Sequence, residues 1–198
     1  MVDMPLMGVV LAGGKSSRMG TDKANLPHPQ QPNPNRVITY LQHAVVRLGP
    51  LVSTIAISGR SEDMKSVANV ISIPDDSPHR GPAAGVAQSL RYAETLGFAG
   101  ILVTPVDMPH LETDHLRCLI DAWQQKRNVT PSLVVAAMFA DQQPEPLLAI
   151  YPTTLRWAIE SMAQSNDRSL SRWLRQQTMV MVTLPQSAAK NVNRPEDL

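Results

Sequence analysis

The sequence predicts a three-layer α/β/α domain built on a mostly parallel sheet. Two observations carry that expectation. Short Val- and Ile-rich runs lack the strict alternation of a half-exposed strand, as expected of strands covered on both faces. Between them lie segments whose apolar residues recur at helical spacing, and strand and helix alternate from end to end. The 198 residues suit one domain, 1–198, with no second domain or internal repeat.

The first run, Gly8-Val9-Val10-Leu11, ends in Ala-Gly-Gly and reads as a buried strand feeding a loop. Thr54 to Ser58, Val70 to Ile73, Ile101 to Thr104 and Leu133 to Met138 are further strand candidates. Four helical stripes separate them. Val37, Ile38, Leu41, Val45 and Leu48 form the first, and Val86, Leu90 and Ala93 follow Gly81-Pro82. Leu116, Leu119, Ile120 and Trp123 form the third, with Thr113 or Asp114 near its start as a cap. Leu155, Ile159 and Met162 make the last. The segment 27–36 carries four prolines between Pro27 and Asn35, which excludes a helix interior and reads as an exposed loop.

Composition narrows the function. Hydrophobic residues make up 43%, enough for a core, and aromatic residues only 4%, so that core is mostly aliphatic. A net charge of +1 is unlike the dense positive field of a nucleic-acid binder. The one cysteine, Cys118, excludes a disulfide framework, and its place beside Leu119 and Ile120 suggests an inert packed thiol. No run approaches the ~18 apolar residues that a membrane span requires. Met1 to Pro5 has no basic region or long apolar stretch, so a cytoplasmic protein without a signal peptide is expected.

Three stretches carry candidate chemistry. In Leu11-Ala12-Gly13-Gly14-Lys15-Ser16-Ser17-Arg18-Met19-Gly20, the glycines allow a tight turn that brings backbone N–H groups near an anion. Lys15, Arg18 and Lys23 add three cations, a combination suited to a triphosphate. Gly14-Lys15-Ser16 imitates the end of a P-loop, but the glycine that motif needs upstream is Val9 here. Asp107, in Thr104-Pro105-Val106-Asp107-Met108-Pro109, follows a parallel strand at the end where open α/β sheets bind ligands. It reads either as an oxygen ligand for Mg²⁺ or as a turn cap. The stretch from Pro74 to Gly85 joins a strand to a helix with a bare, glycine-rich start. Asp75 or Asp76 there reads either as an acceptor for base or ribose or as a solvated turn residue. His28, His43, His79, His110 and His115 show no metal-ligand spacing.

Leu-Ala-Gly-Gly-Lys-x-x-Arg-Met-Gly-x-Asp-Lys resembles the signature loop of the molybdenum cofactor guanylyltransferases, within the wider Rossmann-like nucleotidyltransferase fold. Arg80 to Gly85, Pro105 to Pro109 and Asn191-Val192-Asn193-Arg194-Pro195 agree in order and spacing, so the resemblance covers nearly the whole chain. It implies transfer of GMP from GTP to molybdopterin or molybdenum cofactor, with Mg²⁺ as cofactor and pyrophosphate released. It further implies backbone contacts from Leu11, Ala12, Gly13 and Gly14 to the nucleotide, and phosphate contacts from Lys15, Arg18 and Lys23. Asp76 or Asp75 would meet the guanosine part, Asp107 the Mg²⁺ and nucleotide, and Asn191 and Asn193 the pterin-side substrate. A further nucleotide contact would fall near Ser58-Gly59-Arg60. Molybdoenzyme maturation proteins are the protein partners it implies.

Two departures stand out. The proline-rich segment replaces the short Leu-x-Gly-Lys-Pro turn usual in the family, and Glu145-Pro146 stands where many relatives have His-Pro. The rival readings are a cytidylyl- or uridylyltransferase of the same fold with another phosphorylated acceptor, and a non-catalytic nucleotide-binding protein.

Overall fold

In the computed structural model, the described residues are 5–13, 23–29, 37–59, 70–74 and 81–189, without the side chain of Lys23. They form one seven-stranded sheet. Its strands are β1 (Leu6–Leu11), β2 (Ile55–Ser58), β3 (Ile71–Ile73), β4 (Gly100–Pro105), β5 (Val134–Met138), β6 (Pro144–Pro152) and β7 (Met179–Thr183). Their order across the sheet is β3-β2-β1-β4-β6-β5-β7. All neighbours are parallel except β6, which runs antiparallel to both β4 and β5. The helices are α1 (Tyr40–Leu48), α2 (Pro82–Thr95), α3 (Thr113–Lys126), α4 (Arg156–Gln164) and α5 (Leu170–Leu174).

Except at the edge strand β3, the continuous apolar runs become strands buried on both faces. Along β1, Leu6 and Val10 point into one core layer with Leu41 and Leu48 of α1 and Leu116, Leu119 and Trp123 of α3. Met7 and Val9 point the other way, onto Val86 and Leu90 of α2, Ile159 of α4 and Leu174 of α5. The two-residue side-chain period of a strand thus feeds two helical layers, as a three-layer α/β/α fold requires. Burying a large aliphatic side chain contributes about 1.5–3 kcal/mol.

Helix starts follow local chemistry. Thr39 caps α1 through a capping box: its Oγ1 accepts from Gln42 N at 3.2 Å, and Gln42 Oε1 accepts from Thr39 N at 2.9 Å. Such a cap is worth about 1 kcal/mol. In α3 the cap is Glu112, ahead of the expected Thr113 or Asp114 by one or two residues. Thr113 is diverted instead: its hydroxyl donates to the Arg47 carbonyl at 3.1 Å, tying the start of α3 to the end of α1.

The structure corrects two further expectations. Cys118 is exposed, because it lies on the face of α3 opposite the buried stripe. The proline-rich segment is exposed at Pro27 and Pro29, but His28 between them is only 2% exposed. A bridge between Pro27 and Thr39, with His28 N donating to Ile38 O and Tyr40 N to Leu26 O, holds it inside. The remainder of that segment, 30–36, lies outside the described residues. Among the described residues no helix is long and apolar enough to cross a membrane.

The centre of the sheet leaves no room at Gly100. A Cβ there would stand 2.7 Å from Tyr151 O and 3.1 Å from the Cα of Pro152, both backbone atoms of β6. Gly100→Ala is therefore expected to cost about 1–3 kcal/mol and to lower the thermal midpoint by roughly 3–10 °C. Differential scanning calorimetry reads this directly, and an unchanged midpoint contradicts the packing argument.

Candidate functional site

The site forms at the carboxyl ends of β1, β2, β3 and β4, which finish in line. Leu11 pairs with Ser58 on one side and Pro105 on the other, and Ser58 pairs with Ile73. Beyond these ends Ala12 N donates to Ser58 O at 3.0 Å and Gly59 N to Ile73 O at 3.0 Å. The parallel register therefore brings the start of the Gly-Gly loop beside the strand end that leads to Asp107. Ligands of open α/β sheets bind at this edge.

α2 closes the floor beside β1 and β2. It starts at Gly81, whose φ of 77° is open to glycine at little cost, followed by Pro82 in the first turn. A Cβ on Gly85 would lie 3.0 Å from Ser58 Oγ and 3.3 Å from Leu11 Cδ2, so the first turn of the helix sits against both strand ends. Its amino end presents backbone N–H groups and the positive pole of the helix dipole. Ser58 Oγ is buried here with no hydrogen-bond partner among the described residues.

The loop carrying Asp107 is held from below by Arg47 of α1, which is 3% exposed. Its Nη1 donates to Met108 O at 2.9 Å and Leu111 O at 3.5 Å, and its Nη2 to Thr104 Oγ1 at 2.9 Å and Pro105 O at 2.5 Å. Burial lowers the guanidinium to about 10, while the nearby Asp107 charge opposes that fall. Arg47 thus stays charged at neutral pH. A second tether comes from His28, whose Nε2 donates to Pro109 O at 3.1 Å, which requires the Nε2–H tautomer. The His28 ring stacks on His43 of α1 at 3.7 Å between centroids.

Glu145 faces the site from β6. In the β5–β6 ladder Ala136 pairs with Ala149 but Ala137 with Glu145, so β6 bulges outward over Pro146, Leu147 and Leu148. Tyr151 Oη donates to Pro146 O at 2.8 Å and braces the bulge. Bulges re-aim side chains at sites of this kind. Burial raises the Glu145 carboxyl above its ordinary range, the Leu147 N–H opposes this, and the negative charges of Asp107 and Asp141 add to it. Glu145 Oε1 accepts from that N–H at 3.1 Å. Two carboxylates that sense each other at a strand end are hard oxygen donors suited to Mg²⁺. Among the described residues no group of three or more such side chains gathers.

Of the residues singled out in the sequence, Leu11, Ala12, Gly13 and Asp107 stand at this edge, while the backbone of Lys23 opens a short 3-10 helix, Lys23–Asn25, beside α1. Gly14, Lys15, Arg18, Asp75, Asp76, Asn191 and Asn193 lie outside the described residues. Arg47, Glu145 and the His28–His43 pair are the participants that sequence reasoning missed. Glu145 had a signal in the Glu-Pro departure; Arg47 had none beyond being a charge inside an apolar helical stripe.

Residues 8–180 match the MobA-like NTP transferase domain family. A probable molybdenum cofactor guanylyltransferase of Rhodopirellula baltica is 39% identical over 200 residues, covering 98% of this chain and 90% of its own. The fold resembles the molybdopterin-guanine dinucleotide biosynthesis protein A of Archaeoglobus fulgidus, with TM-score 0.71 and 19% identity over 97% and 94% of the two chains. It also resembles a Mycobacterium tuberculosis H37Rv protein crystallised as a complex with manganese, with TM-score 0.62 and 15% identity over 92% and 89%.

The His28–His43 stack makes stability depend on pH. Burial first, then the charges of His28 and Arg47, lower His43 from 6.5 to about 4. A depressed folded value means that the unfolded chain binds the proton more tightly. The contribution is therefore complete above about pH 6.5 and is lost as the pH falls toward 4, with a magnitude on the order of 1–3 kcal/mol. His43→Phe keeps a ring in the stack but cannot titrate. Urea unfolding between pH 7 and 4.5 should show a shallower acid decline in this variant, and identical declines would contradict the assignment.

Proposed function

The chain belongs to the MobA-like NTP transferase family, and from that premise we propose that it transfers GMP from GTP to molybdopterin or molybdenum cofactor, releasing pyrophosphate. The observation that carries this reading is the register that sets Leu11 beside Pro105, so that the Gly-Gly loop and Asp107 share one strand edge. An oxygen of the acceptor's terminal phosphate attacks the α-phosphorus of GTP. The new P–O bond forms as the bond from the α-phosphorus to the bridging oxygen of the leaving pyrophosphate breaks. The acceptor phosphate is already anionic near neutral pH, so no relay to a hydroxyl nucleophile is needed. Catalysis is positioning and charge stabilisation.

In this reading the backbone of Leu11, Ala12, Gly13 and Gly14 meets the nucleotide. Lys15, Arg18 and Lys23 hold the phosphates that depart. Asp76 or Asp75 meets the guanosine part, and Asn191 and Asn193 the pterin side. Asp107 holds a divalent cation, Mg²⁺ in the cell, with Glu145 close enough to share its field. Such a cation, when bound, neutralises charge developing on the phosphates. In this reading the enzyme works in the cytoplasm on a soluble cofactor, and molybdoenzyme maturation proteins would take its product.

Asp107→Ala should stay folded, within about 1 kcal/mol of the parent, yet lose transfer by roughly 10²-fold or more. Unfolding midpoints and pyrophosphate release with GTP, Mg²⁺ and molybdopterin measure the two effects. A folded variant with near-normal turnover would remove Asp107 from the mechanism. Lys23→Ala should weaken GTP binding by about tenfold, the loss of one charge-assisted contact, and calorimetry showing unchanged affinity contradicts that role. Thermal shifts with GTP, CTP, UTP and ATP test the base. The largest shift should come from GTP; a larger one from CTP or UTP would point to the sister activity. GTP binding without pyrophosphate release would point to a non-catalytic protein.

A further inference from the structure

We propose that Arg47 is the positioning residue of the cation site, acting through the loop that carries Asp107. This rests on the reading of Asp107 as the cation ligand. The argument begins with what the loop lacks. Residues 106–112 follow the last residue of β4 and precede α3, so no sheet ladder or helix fixes their backbone. Asp107 stands near the start of that stretch, two residues beyond β4. Something else must hold its carboxylate within the few tenths of an ångström that a cation and a triphosphate together demand.

The Arg47 guanidinium supplies that restraint. Its two terminal nitrogens bind four oxygens that bracket Asp107 in sequence: Thr104 Oγ1 and Pro105 O before it, Met108 O and Leu111 O after it. The planar fork fixes direction as well as distance, which an ammonium does not. The group is buried and comes from a helix capped at Thr39 and packed on β1, so its base is rigid. The placement serves the loop's geometry rather than neutralising Asp107 alone, because every hydrogen bond found for its terminal nitrogens goes to Thr104 or to a main-chain carbonyl. The guanidinium is thereby committed to the loop and not offered to phosphate.

The consequence is specific. Loosening the fork should weaken cation binding and leave metal-free nucleotide binding in place. Arg47→Lys keeps the charge and removes the fork. Thr104→Val keeps the volume and removes one acceptor. Gly100→Ala, at the far end of the same strand, serves as a control for stability loss without loop change. Electron paramagnetic resonance of free Mn²⁺ with GTP present gives cation affinity without any turnover, and calorimetry in chelator gives metal-free GTP affinity. Arg47→Lys and Thr104→Val should each weaken Mn²⁺ by about three- to tenfold while metal-free GTP affinity and the Gly100→Ala control hold near the parent. In turnover, kcat should fall at saturating GTP and partly recover with excess Mn²⁺. If both variants fold and keep parental Mn²⁺ affinity while Asp107→Ala loses it, the proposal is overturned and the reading of Asp107 survives. If Asp107→Ala itself binds Mn²⁺ as the parent does, that reading fails and takes the proposal with it. Should Arg47→Lys not fold, Thr104→Val decides alone.

Discussion

The buried guanidinium of Arg47 is the constraint around which the rest of the site is arranged. A cation removed from water is costly unless its donors are met. Here four oxygens, two at the end of β4 and two in the loop after it, meet its two terminal nitrogens, and the Asp107 charge helps to keep the group ionised. That arrangement works only if α1, β4 and the start of α3 keep fixed distances. Several separate features secure them: the capping box at Thr39, the hydroxyl of Thr113 on the Arg47 carbonyl, and the tether of His28 to Pro109 O. The last of these also joins the chain just after Lys23 to the loop after β4.

β6 supplies the opposite wall by breaking the parallel pattern. Antiparallel to both neighbours, β6 starts at the carboxyl edge where β5 ends, and its bulge sets Glu145 there. A regular ladder would continue the alternation and give Glu145 no special direction. The bulge exposes backbone that must be satisfied, and Tyr151 Oη and the Glu145 carboxylate do so at Pro146 O and Leu147 N. One irregularity therefore positions a carboxylate and is stabilised partly by that same carboxylate.

What the sequence shows follows from how local each signal is. β1, β4, α2 and α3 were legible because their apolar residues sit in runs or stripes that one window contains. β6 was not: Pro144, Pro146 and Pro152 have no N–H for a ladder, and only the antiparallel pairings with β4 and β5 inside the sheet make this segment a strand. β7 was missed because it lies at the sheet's margin with half-exposed residues and no helix signal beyond it. The burial of His28 and Arg47 depends on partners 81 and 57 to 64 positions away, which no window reaches. Asp107 and the first glycines were legible as candidates because a strand end followed by Gly-Gly or by a lone aspartate carries its chemistry in a few consecutive residues.

The charge pattern gives the deepest reason to read a cation into this site. Asp107, Glu145 and Asp141 make the β4–β6 side negative enough that burial and mutual repulsion together raise Glu145. Arg47, a cation that feels the Asp107 charge, already directs its terminal donors at the end of β4 and the loop after it. A triphosphate brought to such an edge meets carboxylates on one side, and Coulomb repulsion at about 4 Å costs on the order of 4 kcal/mol per pair of charges near a protein surface. A divalent cation held by Asp107 would supply the positive charge that offsets this repulsion. On this view Glu145 need not be a direct ligand to matter. By adding to the negative field around Asp107 it strengthens the preference for a cation, and it disfavours nucleotide that arrives without one.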